Sequence, residues 1–210
     1  MTKAVWGAGA RLAGALILIP MVLASASCGD LTRQGTASSY LIVTMLEAEP
    51  GSDPGEFGTT LFSDVITVVD MDGIKVATTF ADLGRVTFQL GMKDPGSAGS
   101  PTAPTSANAI TLDRYHVRYV RADGRNVEGV DVPYAFDGGM PFTVSGNATG
   151  TFELVRHTAK NEAPLQALGA NGVIINTIAE ITFYGHDQTG RSVSVTSKIA
   201  IEFGNFGDPQ

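Results

Sequence analysis

Histidine and cysteine, two of the side chains that most often take part in catalysis, are few in this 210-residue chain. The three histidines, His116, His157 and His186, lie far apart in sequence and match neither the H-x-H nor the H-E-x-x-H spacing of metal sites. No serine stands in a G-x-S-x-G sequence, and no strand–turn–helix pattern offers a place for such a nucleophile. The single cysteine, Cys28, lies near the N-terminus, where no pocket can form around it. We therefore expect no catalytic residue, no metal ligand and no cofactor, and we expect the histidines on the surface.

Calcium is the remaining metal to consider, because hard cations prefer oxygen ligands and several acidic residues fall in predicted loops. The segment Asp70-Met71-Asp72-Gly73 does not continue as an EF-hand loop, and Asp and Gly are common turn residues. We favour turn formation over calcium binding for these acidic residues, which are Asp53, Glu56, Asp70, Asp72 and Asp187.

A basic strand face stands out in an otherwise acidic chain. Alternation along residues 110–120 places Arg114, His116 and Arg118 on one side of a strand and apolar residues on the other. This face could receive an acidic partner, a phosphate or a sugar acid. It could equally pair across the sheet with carboxylates such as Glu153 or Glu180, which is the usual arrangement and the one we favour.

Aromatic residues surround the glycine-rich segment 137–141, namely Tyr134, Phe136 and Phe142. Aromatic rings beside loops can stack on sugars, but alternating aromatic residues more often fill the core of a β-sandwich. We favour the core interpretation. Exposure of Tyr134 or Phe142 to solvent would favour a carbohydrate-binding module instead.

The elements that position these residues are predicted to be strands. The first covers residues 39–46, a hairpin turns at Asp70–Gly73, and the clearest strand covers 191–203, where apolar and polar residues alternate. Residues 129–136 read as an edge strand because Pro133 lacks an N–H donor, 137–141 read as a turn, and two strands follow. Residues 159–172 are the only helical candidate, with Pro164 in the first turn and Gly169 at the end.

The strand pattern predicts an all-β domain built as a two-sheet antiparallel sandwich of about nine strands, with one short helix at most. It resembles an immunoglobulin-like or fibronectin type III-like module over residues 39–206, and a jelly roll is the alternative. The Cys…Trp…Cys pattern of antibody domains is absent, since the only Trp precedes residue 27. We expect a single domain at 39–206, with a disordered loop near 94–109 and a tail at 207–210.

The N-terminus has the pattern of an export signal. Lys3 and Arg11 precede an apolar run at 12–24 that is too short to span a bilayer, and small residues follow. Cleavage after Ala26 would leave Cys28 as a free thiol. Alternatively, Ser25-Ala26-Ser27-Cys28 resembles the lipobox of bacterial lipoproteins, which implies a diacylglycerol on Cys28 and cleavage before it. A single free thiol in an oxidising compartment is reactive, and acylation of the sulfur removes that reactivity. We therefore favour the lipoprotein interpretation.

In this interpretation, residues 1–27 are a signal peptide and residues 28–38 are a lipidated tether. Residues 1–27 contain two of the 14 basic residues and none of the 21 acidic ones, so the remaining chain has a formal charge of −9. That charge argues against nucleic acid and against electrostatic binding to anionic lipid. Gly29 after the cysteine favours the outer membrane if the sorting rule of enteric bacteria applies.

These features predict a membrane-anchored, extracytoplasmic lipoprotein of a bacterial envelope. We expect a non-catalytic binding, adhesion or structural module whose partner is an envelope protein or a glycan. A carbohydrate-binding module and a secreted hydrolase are the alternatives.

Overall fold

The computed structural model describes residues 35–206, and they form an all-β protein. Cys28, the predicted signal segment 1–27, most of the predicted tether and the tail 207–210 lie outside the described residues. In chain order the strands are β1 (Ser39–Glu49), β2 (Thr60–Asp64), β3 (Thr67–Met71), β4 (Ile74–Thr78), β5 (Asp82–Met92), β6 (Gly96–Ser97), β7 (Ser100–Pro101), β8 (Ile110–Val120), β9 (Phe136–Val144), β10 (Asn147–Val155), β11 (Ile175–Asp187) and β12 (Ser192–Gly204). A four-residue helix, α1 (His157–Lys160), and 3-10 turns at Ser106–Asn108 and Leu165–Ala170 complete the described elements.

The strands are divided between two larger sheets and two small hairpins. A three-stranded antiparallel sheet has the order β1-β5-β10, and a five-stranded sheet has the order β2-β12-β11-β8-β9. Within the five-stranded sheet only β2 runs parallel to its neighbour, β12. Strands β3 and β4 form a separate hairpin that turns at Asp72 and Gly73, as the sequence predicted, and β6 and β7 form another.

Inward-facing side chains of the two larger sheets meet in one core. The ring of Phe88 on β5 lies edge-on to Phe183 on β11, with centroids 5.0 Å apart. Phe152 on β10 contacts Tyr115 on β8 at the same centroid separation. The predicted alternation along β12 is confirmed, because its apolar residues Val193, Ile199, Ile201 and Phe203 are buried. Period-two burial of this length explains why these segments form strands with one wet face.

Three glycines within strands are covered by an aromatic ring from the residue directly opposite. Gly91 pairs with Tyr40, Gly84 with Phe152, and Gly138 with Tyr115. A Cβ at any of these glycines would collide with the ring of its partner. The ring thus occupies the space that a strand side chain would fill, which offsets the weak strand preference of glycine.

The predicted turn at 137–141 is wrong for this reason, because these residues lie inside β9. The predicted strand at 129–136 is also wrong: residues 121–135 form a loop, in which Gly129 has φ +74° and Val130 is exposed while Val132 is buried. The proline on an edge strand is Pro141, next to a register shift in the β8–β9 ladder. Strands β2 and β3 are separated at Val65 and Ile66.

The helical candidate at 159–172 forms one short helix followed by a 3-10 turn, with Pro164 before that turn. Residues 94–109, predicted as a disordered loop, contain the β6–β7 hairpin and the 3-10 turn at 106–108, and residues 94–107 are all exposed. Ala37, assigned by sequence to the tether, is 1% exposed and packs in the core.

The strand directions define two ends of the domain. The entry end contains residues 35–38, where the described chain begins, together with 93–109, 145–146 and 188–191. The distal end contains residues 50–57, 65–81, 121–135, 156–174 and 205–206. Strand β1 runs the length of the domain from Ser39 at the entry end to Glu49 at the distal end.

Candidate functional site

The basic face predicted on β8 is present, and its charges are largely paired across the sheet. Arg118 donates to Glu180 on β11, which also forms an ion pair with Lys198 on β12. Hydrogen bonds from Lys198 and Arg118 lower the pKa of Glu180. The favoured cross-strand pairing with Glu180 is therefore confirmed.

Arg114 is also engaged on this face. It donates to Asp137 at 2.9 Å, and its guanidinium lies 3.9 Å from the centre of the Tyr184 ring. Glu153, the other carboxylate named as a partner, lies on β10 of the other sheet and does not reach these cations. The paired face leaves little free positive charge for an acidic ligand.

The histidines do not converge. His116 lies 3.3 Å from Asp137, and His186 Nδ1 lies 3.0 Å from Asp113 Oδ2. His157 is exposed on α1 at the distal end. Within residues 35–206, no group of three or more His, Cys, Asp or Glu side chains is placed to hold a metal ion.

Two of the acidic residues considered for calcium instead close turns. Asp70 Oδ1 accepts a hydrogen bond from the Gly73 N–H in the β3–β4 hairpin. Asp187 Oδ1 accepts from the N–H and hydroxyl of Thr189 and from the Arg191 N–H. Burial acts to raise the pKa of Asp187, but these hydrogen bonds outweigh burial and the pKa is lowered. The carboxylates have the turn-forming role that Asp commonly takes.

A buried polar cluster, which the sequence did not predict, joins β2, β5 and α1. Lys160 Nζ donates to Asp82 Oδ1 and to the Asp64 carbonyl, each at 2.8 Å. Asp82 also accepts from Ser63 Oγ at 2.6 Å and from the Gly51 N–H at 2.9 Å. Burial raises the pKa of Asp82, and Lys160 opposes that increase.

This cluster contains a hydroxyl, a carboxylate and an amine, yet its geometry is structural. The side chains of Lys160 and Asp82 are 1% and 0% exposed, so no substrate reaches them. Each polar group is satisfied within the cluster, as buried ions require. No local sequence signal identifies the pair, because Lys160 lies 78 positions after Asp82.

The aromatic candidates occupy different environments. Phe136 is buried, and Phe142 is partly buried against the core, 5.9 Å from Phe88. Tyr134 is 49% exposed, and its ring and hydroxyl lie against Gly129 of the same loop. The core interpretation therefore holds for Phe136 and Phe142, but not for Tyr134.

Exposed apolar side chains in the loops and hairpins gather at the distal end. Met71 and Ile74, at the tip of the β3–β4 hairpin, are 62% and 68% exposed. The 121–135 loop and the approach to β11 add Val127, Val130, Tyr134, Val173 and Ile174. No large apolar side chain of the described residues is exposed at the entry end. Apolar groups concentrated in one region of a surface commonly mark an interaction site.

The distal end also contains open depressions. One, of about 240 Å³, lies between the β3–β4 hairpin and α1 and is lined by Ile66, Ala77, Thr78, Thr79 and Asn161. Another, of about 280 Å³, lies between the 50–58 loop and β2. The first contains no titratable side chain, whereas the second is lined by the two exposed carboxylates of Asp53 and Glu56.

Comparison with known proteins assigns no family to this chain. No protein-family model matches it, and no curated protein matches it. One solution structure, of a protein provisionally assigned to the late embryogenesis abundant (LEA) class, is similar with a TM-score of 0.36 and 12% identity. The similarity covers 66% of this chain and 70% of that one. At this level it assigns neither a family nor a function. No helix among residues 35–206 is long and apolar enough to cross a membrane.

Proposed function

We propose that this chain is an exported bacterial lipoprotein, anchored through Cys28, whose domain binds an envelope partner without catalysis. In this proposal the three-stranded and five-stranded sheets form an immunoglobulin-like sandwich. The observation that carries the binding role is the separation between the entry end and the exposed apolar groups at the distal end.

The tether supports this arrangement. Six residues lie between Cys28 and Gly35, and a fully extended chain covers this interval in roughly 25 Å, so a lipid on Cys28 holds the entry end within roughly that distance of the bilayer. Strand β1 has 11 residues and spans roughly 35 Å toward the distal end. The exposed apolar groups then face away from the membrane, where a partner can reach them. Acyl chains provide a durable anchor because each buried methylene contributes about 0.8 kcal/mol.

The experiment compares the wild-type chain with Cys28→Ser in a bacterial host. After cell disruption and a wash at high salt, we expect the wild-type protein in the membrane fraction and Cys28→Ser in the soluble fraction. High salt removes electrostatically bound protein but leaves a lipid anchor in place. Equal fractionation of both variants would contradict the anchor.

A carbohydrate-binding role is the second candidate, and the exposed ring of Tyr134 favours it. A glycan array probed with the wild-type domain and with Tyr134→Ala tests it. Binding that Tyr134→Ala abolishes would support this candidate. Binding that is unchanged by the substitution, or no binding at all, would exclude a role for this ring.

A further inference from the structure

The depression beside β2 has an apolar floor. It is lined by Ala48, Pro50, Phe57, Gly58, Thr60 and Phe62, together with the rim residues Asp53 and Glu56; we call it the β2 groove. Phe62 is 54% exposed and lies edge-on to Phe206, with centroids 6.0 Å apart. Strand β2 is an edge strand of its sheet, hydrogen-bonded to β12. An exposed phenylalanine in a concave surface at a sheet edge is a suitable anchor point for a partner side chain.

The charges around the β2 groove are negative and available. Asp53 and Glu56 are exposed, and neither carboxylate forms an ion pair with any described residue. The nearby cation is already engaged, since Arg85 lies over the Phe57 ring at 4.0 Å and pairs with Glu47 at 2.8 Å. The groove thus offers an apolar floor with an uncompensated acidic rim.

From this we propose that the β2 groove binds a basic segment of a partner protein. An apolar side chain of that segment inserts between Phe57 and Phe62, and flanking Lys or Arg side chains lie against Asp53 and Glu56. The inference deepens the proposed binding role, on which it rests, but it does not depend on the lipid.

The negative charge of the β2 groove favours a basic segment over other possible ligands. Nucleic acid and acidic glycans carry the same sign of charge as the rim. A second copy of this chain has a formal net charge of −7, and the arginines Arg114 and Arg118 on its basic face are paired. Residues 207–210 of the chain contain Asp208 and no basic residue. A cationic segment is the occupant that gains Coulomb energy at both carboxylates.

The test uses the full chain carrying Cys28→Ser and two synthetic seven-residue peptides. One peptide alternates Lys with Val and Leu, and the other has Glu at each Lys position. Binding is followed by the backbone amide shifts of the ¹⁵N-labelled protein. We expect saturable shifts at Ala48, Gly58 and Phe62 with the Lys peptide, and a Kd at least about tenfold lower than for the Glu peptide. Raising the salt from roughly 20 to 150 mM should weaken binding severalfold.

Two matched charge variants test whether the acidic rim of the β2 groove contributes to binding. Asp53→Asn with Glu56→Gln should weaken binding of the Lys peptide at least about fivefold. Asp72→Asn with Glu128→Gln makes the same charge change at exposed acidic residues that do not line the groove, and should alter the Kd by less than about twofold. Phe62→Ser should remove the saturable shifts.

The inference is overturned by any of three results: equal affinity for both peptides, no saturable shift with either, or equal weakening by the two charge variants. Because this protein lacks Cys28, failure here is distinguishable from failure of the anchor. Shifts confined to the β3–β4 hairpin or the 121–135 loop would keep a distal binding role while refuting the β2 groove.

Discussion

The buried ion pair between Lys160 and Asp82 provides the sharpest prediction about stability. Lys160→Met keeps an unbranched side chain of similar length but removes both hydrogen bonds of Nζ. Asp82 then keeps only the Ser63 hydroxyl and the Gly51 N–H as donors, in a site with no access to water. Breaking a buried pair in this way costs about 3–5 kcal/mol, because one charge remains buried without compensation.

The same variant should acquire a characteristic pH dependence. Burial raises the pKa of Asp82 in the folded protein, and removing Lys160 removes the main opposing interaction. A carboxyl whose pKa is higher in the folded state takes up a proton on folding, so it destabilises the fold above that pKa. The deficit of Lys160→Met relative to wild type should therefore shrink as the pH falls from 7 toward 5.

Urea unfolding followed by circular dichroism at several pH values measures both effects. The double variant Asp82→Asn with Lys160→Met also removes the carboxylate that Lys160→Met leaves without its partner. It should be more stable than Lys160→Met alone at pH 7. Lys198→Met is the surface control: its partner Glu180 is also bound by Arg118, and loss of such a pair costs at most about 1 kcal/mol. A loss below about 1 kcal/mol for Lys160→Met, or a deficit that grows toward pH 5, would refute the reasoning.

Three further predictions concern the sheets. Gly138→Ala should destabilise the fold by about 1–3 kcal/mol, because the new Cβ collides with the buried Tyr115 ring. Gly139→Ala is the control: its Cβ enters open space, so thermal melts of this variant should show a neutral or slightly stabilising effect. Glu180→Gln should be less stable than wild type at pH 7. Since the pKa of Glu180 is lowered in the folded state, that difference should disappear as the pH falls through the lowered pKa, and a constant difference down to pH 3 would contradict it. Tyr119→Phe should cost about 1–2 kcal/mol in urea unfolding, because the buried Leu154 carbonyl loses the hydroxyl that donates to it at 2.8 Å; an unchanged midpoint would show that another donor replaces it.

The parts of the fold that were predictable are those with a local signal. Strand β12 alternates apolar and polar residues along its length, and the β3–β4 turn contains Asp72 and Gly73 with positive φ, so each could be recognised from neighbouring residues alone. Arg118 was likewise assigned to the wet face of β8 by alternation, which made pairing with Glu180 a reasonable expectation.

The parts that were missed depend on contacts between residues distant in sequence. Gly138 reads as a turn residue until Tyr115, on the neighbouring strand, is seen to cover it. Lys160 reads as a solvated charge on a short helix until Asp82 and Asp64 are brought beside it from other strands. The β2 groove is similar: Phe57 lies in a loop and Phe62 follows five positions later on β2, and no periodic pattern in the sequence marks the two as lining one site.

The central claim is that the lone cysteine anchors a binding domain, and one measurement tests it most directly. The intact mass of the N-terminal peptide is determined for protein purified from the membrane fraction. We expect a peptide that begins at Cys28 and carries the added mass of acyl chains. A peptide that begins at Ser27 with an unmodified thiol, recovered from the soluble fraction, would contradict it.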